Sequence, residues 1–194
     1  MAVRKVAQIG HPALKAENKI ITDFKSLKLK KLIKDLKDTM NKNGIIGIAA
    51  PQIAENYKVF VTQPRKTKTR KLDKSDKFRV YINPKIVFFS KEKLIIYEGC
   101  GSVADGNLFA PVRRPKEIKI EALDEKRRRF FLLCNGIYAR VIQHEYDHLS
   151  GIEFTEKISD YRRILSRKYY LETVRNSKEQ KEASKITVFN LSLY

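Results

Sequence analysis

The chain has 194 residues, enough for one domain with a sizeable core, and 41 Lys and Arg against 22 Asp and Glu give it a net charge of +19. That balance suits a polyanionic partner such as nucleic acid or a membrane surface, although a generally basic composition produces it too. Only Cys100 and Cys134 are present, no apolar run approaches eighteen residues, and no hydrophobic leader opens the chain. These features argue against a secreted scaffold and a transmembrane helix, a disulfide is not needed, and a cytoplasmic protein with no membrane contact is expected.

In chain order, Leu29, Leu32, Ile33, Leu36 and Met40 recur at helical spacing among lysines, and Asn43-Gly44 closes that helix. Short β-branched and aromatic runs predict strands over 58–62, 78–83, 85–89, 94–97, 118–122 and 130–134. The polar segment 64–77, PRKTKTRKLDKSDK, reads as an exposed loop. A second helix is predicted from Asn135-Gly136 to Ser150-Gly151, and a third from Ser159-Asp160 with Tyr161, Ile164, Leu165 and Leu171 on one side. NSKEQKEASK then reads as a charged connector and ITVFNLSLY as an apolar tail able to add a strand. The order predicts an α+β fold of mostly antiparallel sheets packed around the second helix, with an N-terminal and a C-terminal helix flanking it.

That second helix carries QHEYDHL. Residues four apart stand one turn above each other, so His144 and His148 can aim two imidazoles at one ion while Glu145 reaches a water beside it. An open hydrolytic site needs a third ligand. The position six beyond His148 is Phe154, which cannot ligate. Glu172 on a later helix and Cys100 at a Gly-flanked strand end both remain. A structural zinc site would close with four protein ligands, as would suit a basic RNA-binding or ribosome-associated protein. No fourth Cys or His lies in these motifs, which favours catalysis.

GIAAPQ (47–52), EGCGS (98–102) and QHEYDHL (143–149), in that order, together resemble the peptide deformylase family, and the likeness runs from HPAL (11–14) through GIEF (151–154). The resemblance implies an α+β hydrolase that removes the formyl group from the N-terminal formyl-methionine of new polypeptides. It implies Cys100, His144 and His148 as ligands of one divalent metal, Fe2+ by the family's habit, with Zn2+ or Ni2+ as alternatives that one thiolate and two imidazoles accept equally. It further implies Glu145 as general base and then acid, and Gln52 and the Gly101 N–H as oxyanion donors. Gly47, Ile46 and Ile48 would border the substrate, and Glu98 and Arg114 would brace the metal loop, with Asp147 either holding a histidine N–H or facing solvent. A basic C-terminal helix could contact the ribosome. The implied domain is 1–194, with a catalytic core over about 1–158 and a helix and tail over about 159–194. Three departures bear on substrate fit: Ile45 where the family usually has glycine, Gly101 where it has leucine, and a longer segment before Val112.

Overall fold

Ser26 starts the first helix by accepting from the Leu29 N–H at 3.3 Å, and α1 (Leu27–Lys42) follows. Its apolar stripe, Leu29, Leu32, Leu36 and Met40, is buried against one face of a sheet. The computed structural model describes residues 3–194, and no helix among them is long and apolar enough to cross a membrane.

The sheet is antiparallel, in the order β1-β2-β3-β6-β7-β9. Its strands are β1 (Gly47–Ala49), β2 (Val59–Thr62), β3 (Arg79–Phe89), β6 (Glu117–Leu123), β7 (Arg129–Asn135) and β9 (Phe189–Leu193). Alternation divides the side chains: Val59, Val61, Val80 and Ile82 face α1, whereas Phe60, Tyr81, Ile118, Ile120 and Leu132 face a second core. That second core receives Ile137, Tyr138, Val141 and Ile142 of α2 (Gly136–Leu149). Every residue of α2 except Tyr146 is buried, so its polar side chains must find partners inside the protein. A smaller sheet, β4 (Lys93–Glu98), β5 (Leu108–Pro115) and β8 (Leu165–Ser166), in that order, brings Cys100 to the helix.

The α+β architecture agrees with the sequence reading, with several differences, among them the short β1 where no strand was expected. The two strands predicted over 78–89 are one, β3, bulged where Asn83 takes φ +49° and binds the Ile21 backbone N–H and C=O through its side chain. β5 was not foreseen, because Pro111, Pro115, Arg113 and Arg114 hide its pattern. It survives because β8 meets it only at Leu108 and Phe109. The third helix does not start at Asp160, which instead caps a 3-10 turn (Tyr161–Arg163). The chain then runs extended through β8 into the short α3 (Arg167–Tyr169) and a π-helical turn (Tyr170–Val174). The supposed connector contains α4 (Lys178–Ser184), capped by Ser177 and packed on α2 and β4. Segment 64–77 forms no strand, as expected, yet it is tied down: Tyr138 donates to Asp76 Oδ2 at 2.6 Å, Arg79 pairs with the same carboxylate, and Leu72 packs on the core.

Candidate active site

Three elements converge beside α2: β1 with the 3-10 turn Ala50–Ile53, the end of β4, and the turn that leads to β5. Cys100 Sγ lies 3.3 Å from His148 Nε2, and the ligating atoms of Cys100, His144 and His148 all fall within 4.8 Å of one another. Glu172, the rival third ligand, is exposed on the π-helical turn, outside this group.

Glu98 organises the set. Burial alone would raise its pKa, but Arg114, the His144 hydrogen bond and Arg140 together hold it well below the usual carboxylate range. Ionised, it accepts from Arg114 Nε and Nη2 (2.7 and 3.0 Å) and from Arg140 Nη1 (2.8 Å), and meets His144 Nδ1 at 2.9 Å. The last contact fixes the ring so that its other nitrogen turns toward Cys100. Arg114 also binds Asp147 at 2.5 Å, and Lys157 reaches the other oxygen of Asp147 at 2.7 Å. Asp147 thus neither holds a histidine nor faces solvent. Arg140 went unnoticed in the sequence, although a guanidinium in the middle of a buried helix must be paired. Its remaining donors reach the carbonyls of Val112 and Leu94.

Glu145 stands one residue beyond His144. Burial, only partly offset by His144, raises its carboxyl from the ordinary 4.5 to about 7, and its Oε2 is buried without a hydrogen-bond partner. Burial, reinforced by the charge of His144, keeps His148 well below its usual pKa. His144, despite burial, is held well above its own by the hydrogen bonds to Cys100 and Glu98. Gln52 is oriented by one contact: Ala49 N–H donates to its Oε1 at 2.8 Å, so Nε2 must point inward, toward Cys100 Sγ (3.4 Å) and Ser102 Oγ (3.3 Å). At Gly47 any Cβ would stand 2.6 Å from Glu145 Oε1 and from Val141 Cγ2, so only glycine fits. Gly101 has its carbonyl tied by Gln8 Nε2 at 2.9 Å.

A cavity of about 900 Å³ opens over this group, with Ile45, Ile46 and Gly47 on one wall and His144 and Glu145 on another. Ile48 is not part of it. Its side chain alternates to the α1 face of the sheet and packs in that core, as strand periodicity requires.

Residues 3–163 match the family described as polypeptide deformylase. This chain belongs to that family. A peptide deformylase of Pseudothermotoga lettingae is 37% identical over 177 residues, covering 91% of this chain and 95% of the relative. Peptide deformylase 2 of Clostridium perfringens is 37% identical over 160 residues, 82% of this chain and 96% of its own. Among solved structures, a Met-Ala-Ser-bound class I type b peptide deformylase of Acinetobacter baumannii superposes with a TM-score of 0.76 at 32% identity, covering 81% of this chain and all of that one (100%). The deformylase of Thermotoga maritima does so at 0.71 and 29%, covering 82% of this chain and 100% of its own. Like its relatives, the chain is a hydrolase that removes the N-terminal formyl group of nascent peptides, and the deformylase family depends on a metal. The residues present fit such an ion: a soft thiolate and two imidazoles converge, and a buried carboxylate oxygen beside them has no other partner.

Proposed function

We propose that Cys100, His144 and His148 hold one divalent ion, Fe2+ in the working enzyme, with Zn2+ or Ni2+ as substitutes, and that Glu145 moves the proton during hydrolysis of the formyl group from formyl-methionyl polypeptides. The observation that carries this reading is the convergence of the three ligating atoms within 4.8 Å next to the unpartnered Glu145 Oε2. An ion in that set supplies Lewis acidity, which makes a water acidic and polarises a carbonyl oxygen. The chain's own residues do the rest. Glu145, poised near neutrality, takes a proton from the attacking water at Oε2 and passes it to the amine nitrogen as the formyl C–N bond breaks. Gln52 Nε2, held inward by the Ala49 N–H, and the Gly101 backbone N–H donate to the oxyanion as charge develops. Gly47 lets β1 lie close against Glu145 and Val141 and borders the cavity that the peptide enters, and Ile46 borders the methionine side chain. Glu98 and Arg114 keep His144 in register.

Formate release from formyl-Met-Ala-Ala by protein loaded anaerobically with ferrous iron tests the proposal, with metal content measured in parallel. Cys100→Ser is expected to lose metal and turnover, and Glu172→Ala neither. The reverse result would assign a different metallohydrolase. We propose also that residues 1–194 act as one domain in the cytoplasm, with the basic C-terminal region touching the ribosome. Arg162, whose side chain is 92% exposed, and the exposed Lys168 support that contact. Reversing both charges should then weaken salt-sensitive co-sedimentation with ribosomes and leave release of formate from a tripeptide as it was.

A further inference from the structure

The catalytic cavity continues past the strand end that carries Cys100, and there its walls come from segment 64–77 and from the tail beyond the family match, including Tyr170 and Arg175. Phe109 leads the way. Its ring would lie 2.6 Å from a Cβ on Gly99, the residue before Cys100, and it stacks on Tyr170 at 4.0 Å and 11°. Arg175 lies over that stack, its guanidinium carbon 4.8 Å from the Tyr170 ring centre and 5.9 Å from that of Phe109. An aromatic floor thus begins one residue from Cys100, and the Arg175 cation lies over it. An extended peptide, advancing about 3.4 Å per residue, reaches them within its first two or three residues beyond the formyl group.

The cation has no acidic partner. Arg175 Nε is buried without a hydrogen-bond partner, and among the described residues neither Arg175 nor Arg70, which lines the same cavity, makes an ion pair. Both line the same cavity, and burial, and next the charge of Arg175, pull Arg70 down to about 10. Two half-buried guanidinium groups lining one cavity repel each other, with the Tyr170 hydroxyl as the acceptor beside Arg175, and a bridging carboxylate would relieve that repulsion with charge-assisted hydrogen bonds. The rim adds Lys71, Lys74, Lys181 and Lys185, against Asp73 and Glu182, so the field at this end favours an anion.

We infer that Arg70 and Arg175 form a carboxylate-binding subsite for the substrate, so that the enzyme prefers formyl-methionyl peptides with an acidic side chain at the third residue. The inference rests on the deformylase reading above and names the class of peptide it acts on. Its test compares formyl-Met-Ala-Glu-amide with formyl-Met-Ala-Gln-amide, isosteric apart from the charge, by kcat/KM on the metal-loaded enzyme. The dissociation constants of the deformylated products, from calorimetry, provide a second readout. A ratio of about tenfold or more in favour of Glu is expected at low salt, in line with one charge-assisted pair. It should fall to about one in R70Q/R175Q, and in the unaltered protein as about 0.5 M salt screens the pair. A ratio of one or less in the unaltered protein, or a preference that neither salt nor the substitutions diminish, overturns the subsite. The salt series decides the matter even when the double variant does not fold. Formyl-Met-Ala-Gln with a free C-terminus separates the sources of the carboxylate: a preference for it alone, with none for the Glu amide, overturns the side-chain assignment. If neither amide is hydrolysed, the catalytic reading falls, and the product affinities still judge the arginines. Equal product affinities with ribosome co-sedimentation that depends on Arg70 and Arg175 would make the pair an RNA contact instead.

Discussion

Glu145 costs the fold stability in exchange for function. A carboxyl whose pKa is raised by burial from 4.5 to about 7 binds its proton more tightly folded than unfolded. Its contribution is therefore favourable below the unfolded pKa and declines as pH rises through the folded one. Each pKa unit is worth about 1.4 kcal/mol, so the metal-stripped protein should lose about 3 kcal/mol between about pH 4 and pH 8 that Glu145→Gln does not lose. Urea unfolding of both proteins at the two pH values checks this, and parallel curves would show that burial does not raise the Glu145 carboxyl. In the metal-loaded enzyme the same substitution removes the proton carrier, and turnover is expected to fall at least about a hundredfold at unchanged metal content. His148→Ala should instead lose the ion itself, read as metal per chain after gel filtration.

At the scale of elements, the site depends on close approach between β1 and α2. Gly47→Ala would push a methyl into Glu145 and Val141, each 2.6 Å from the new carbon, so turnover is expected to drop about tenfold to a hundredfold while the three ligands, and hence the metal content, are kept. Arg114→Met would leave the buried Glu98 carboxylate with Arg140 and Asp147 with Lys157 as their remaining cations, at a cost of about 3 kcal/mol by thermal or urea unfolding. The legible parts of the sequence were the ones with local signals. The amphipathic stripe of α1, the HExxH helix and the β-branched runs each announce themselves within a few residues, and they formed as read except that the two runs over 78–89 join in β3. What was not legible depended on partners distant in sequence. β5 looks like a loop until β4 pairs with it from Ala110 to Pro115, and α4 looks like a solvated charge run until its Gln180 meets the Tyr97 backbone. The candidate site divides the same way. The spacing of His144, Glu145 and His148 was readable, whereas the choice of Cys100 over Glu172 needed the family motif, and Arg140 and the course of Ile48 needed the three-dimensional packing.

Across the whole molecule, the apolar tail adds a strand to the sheet, as its sequence allows. β9 covers the outer edge of β7 from Phe130 to Cys134, and Phe189 stacks on Tyr138 of α2 at 5.3 Å. Asn135, instead of capping α2, turns its side-chain oxygen to the N–H groups of Thr187 and Val188 at 2.8 and 3.2 Å. Gly136, at φ +58°, leaves no room for a Cβ against the Lys185 carbonyl. Removing the chain after Ser177 would take away α4 and β9 together. It would expose Ile186's neighbours in the core, leave Tyr138 bare on one face, and open a long edge strand rich in Phe and Leu, which is a template for intermolecular pairing. The truncated chain retains Cys100, His144, His148 and Glu145, so a tail that merely hung in solvent would leave metal content, solubility and formate release intact. The expected result is different: a melting temperature lower by more than about 10 °C, or aggregation during purification, with loss of activity following from loss of fold. A soluble truncation that melts with the full chain would show that the edge of β7 needs no cover and that the C-terminal elements are dispensable to the sheet.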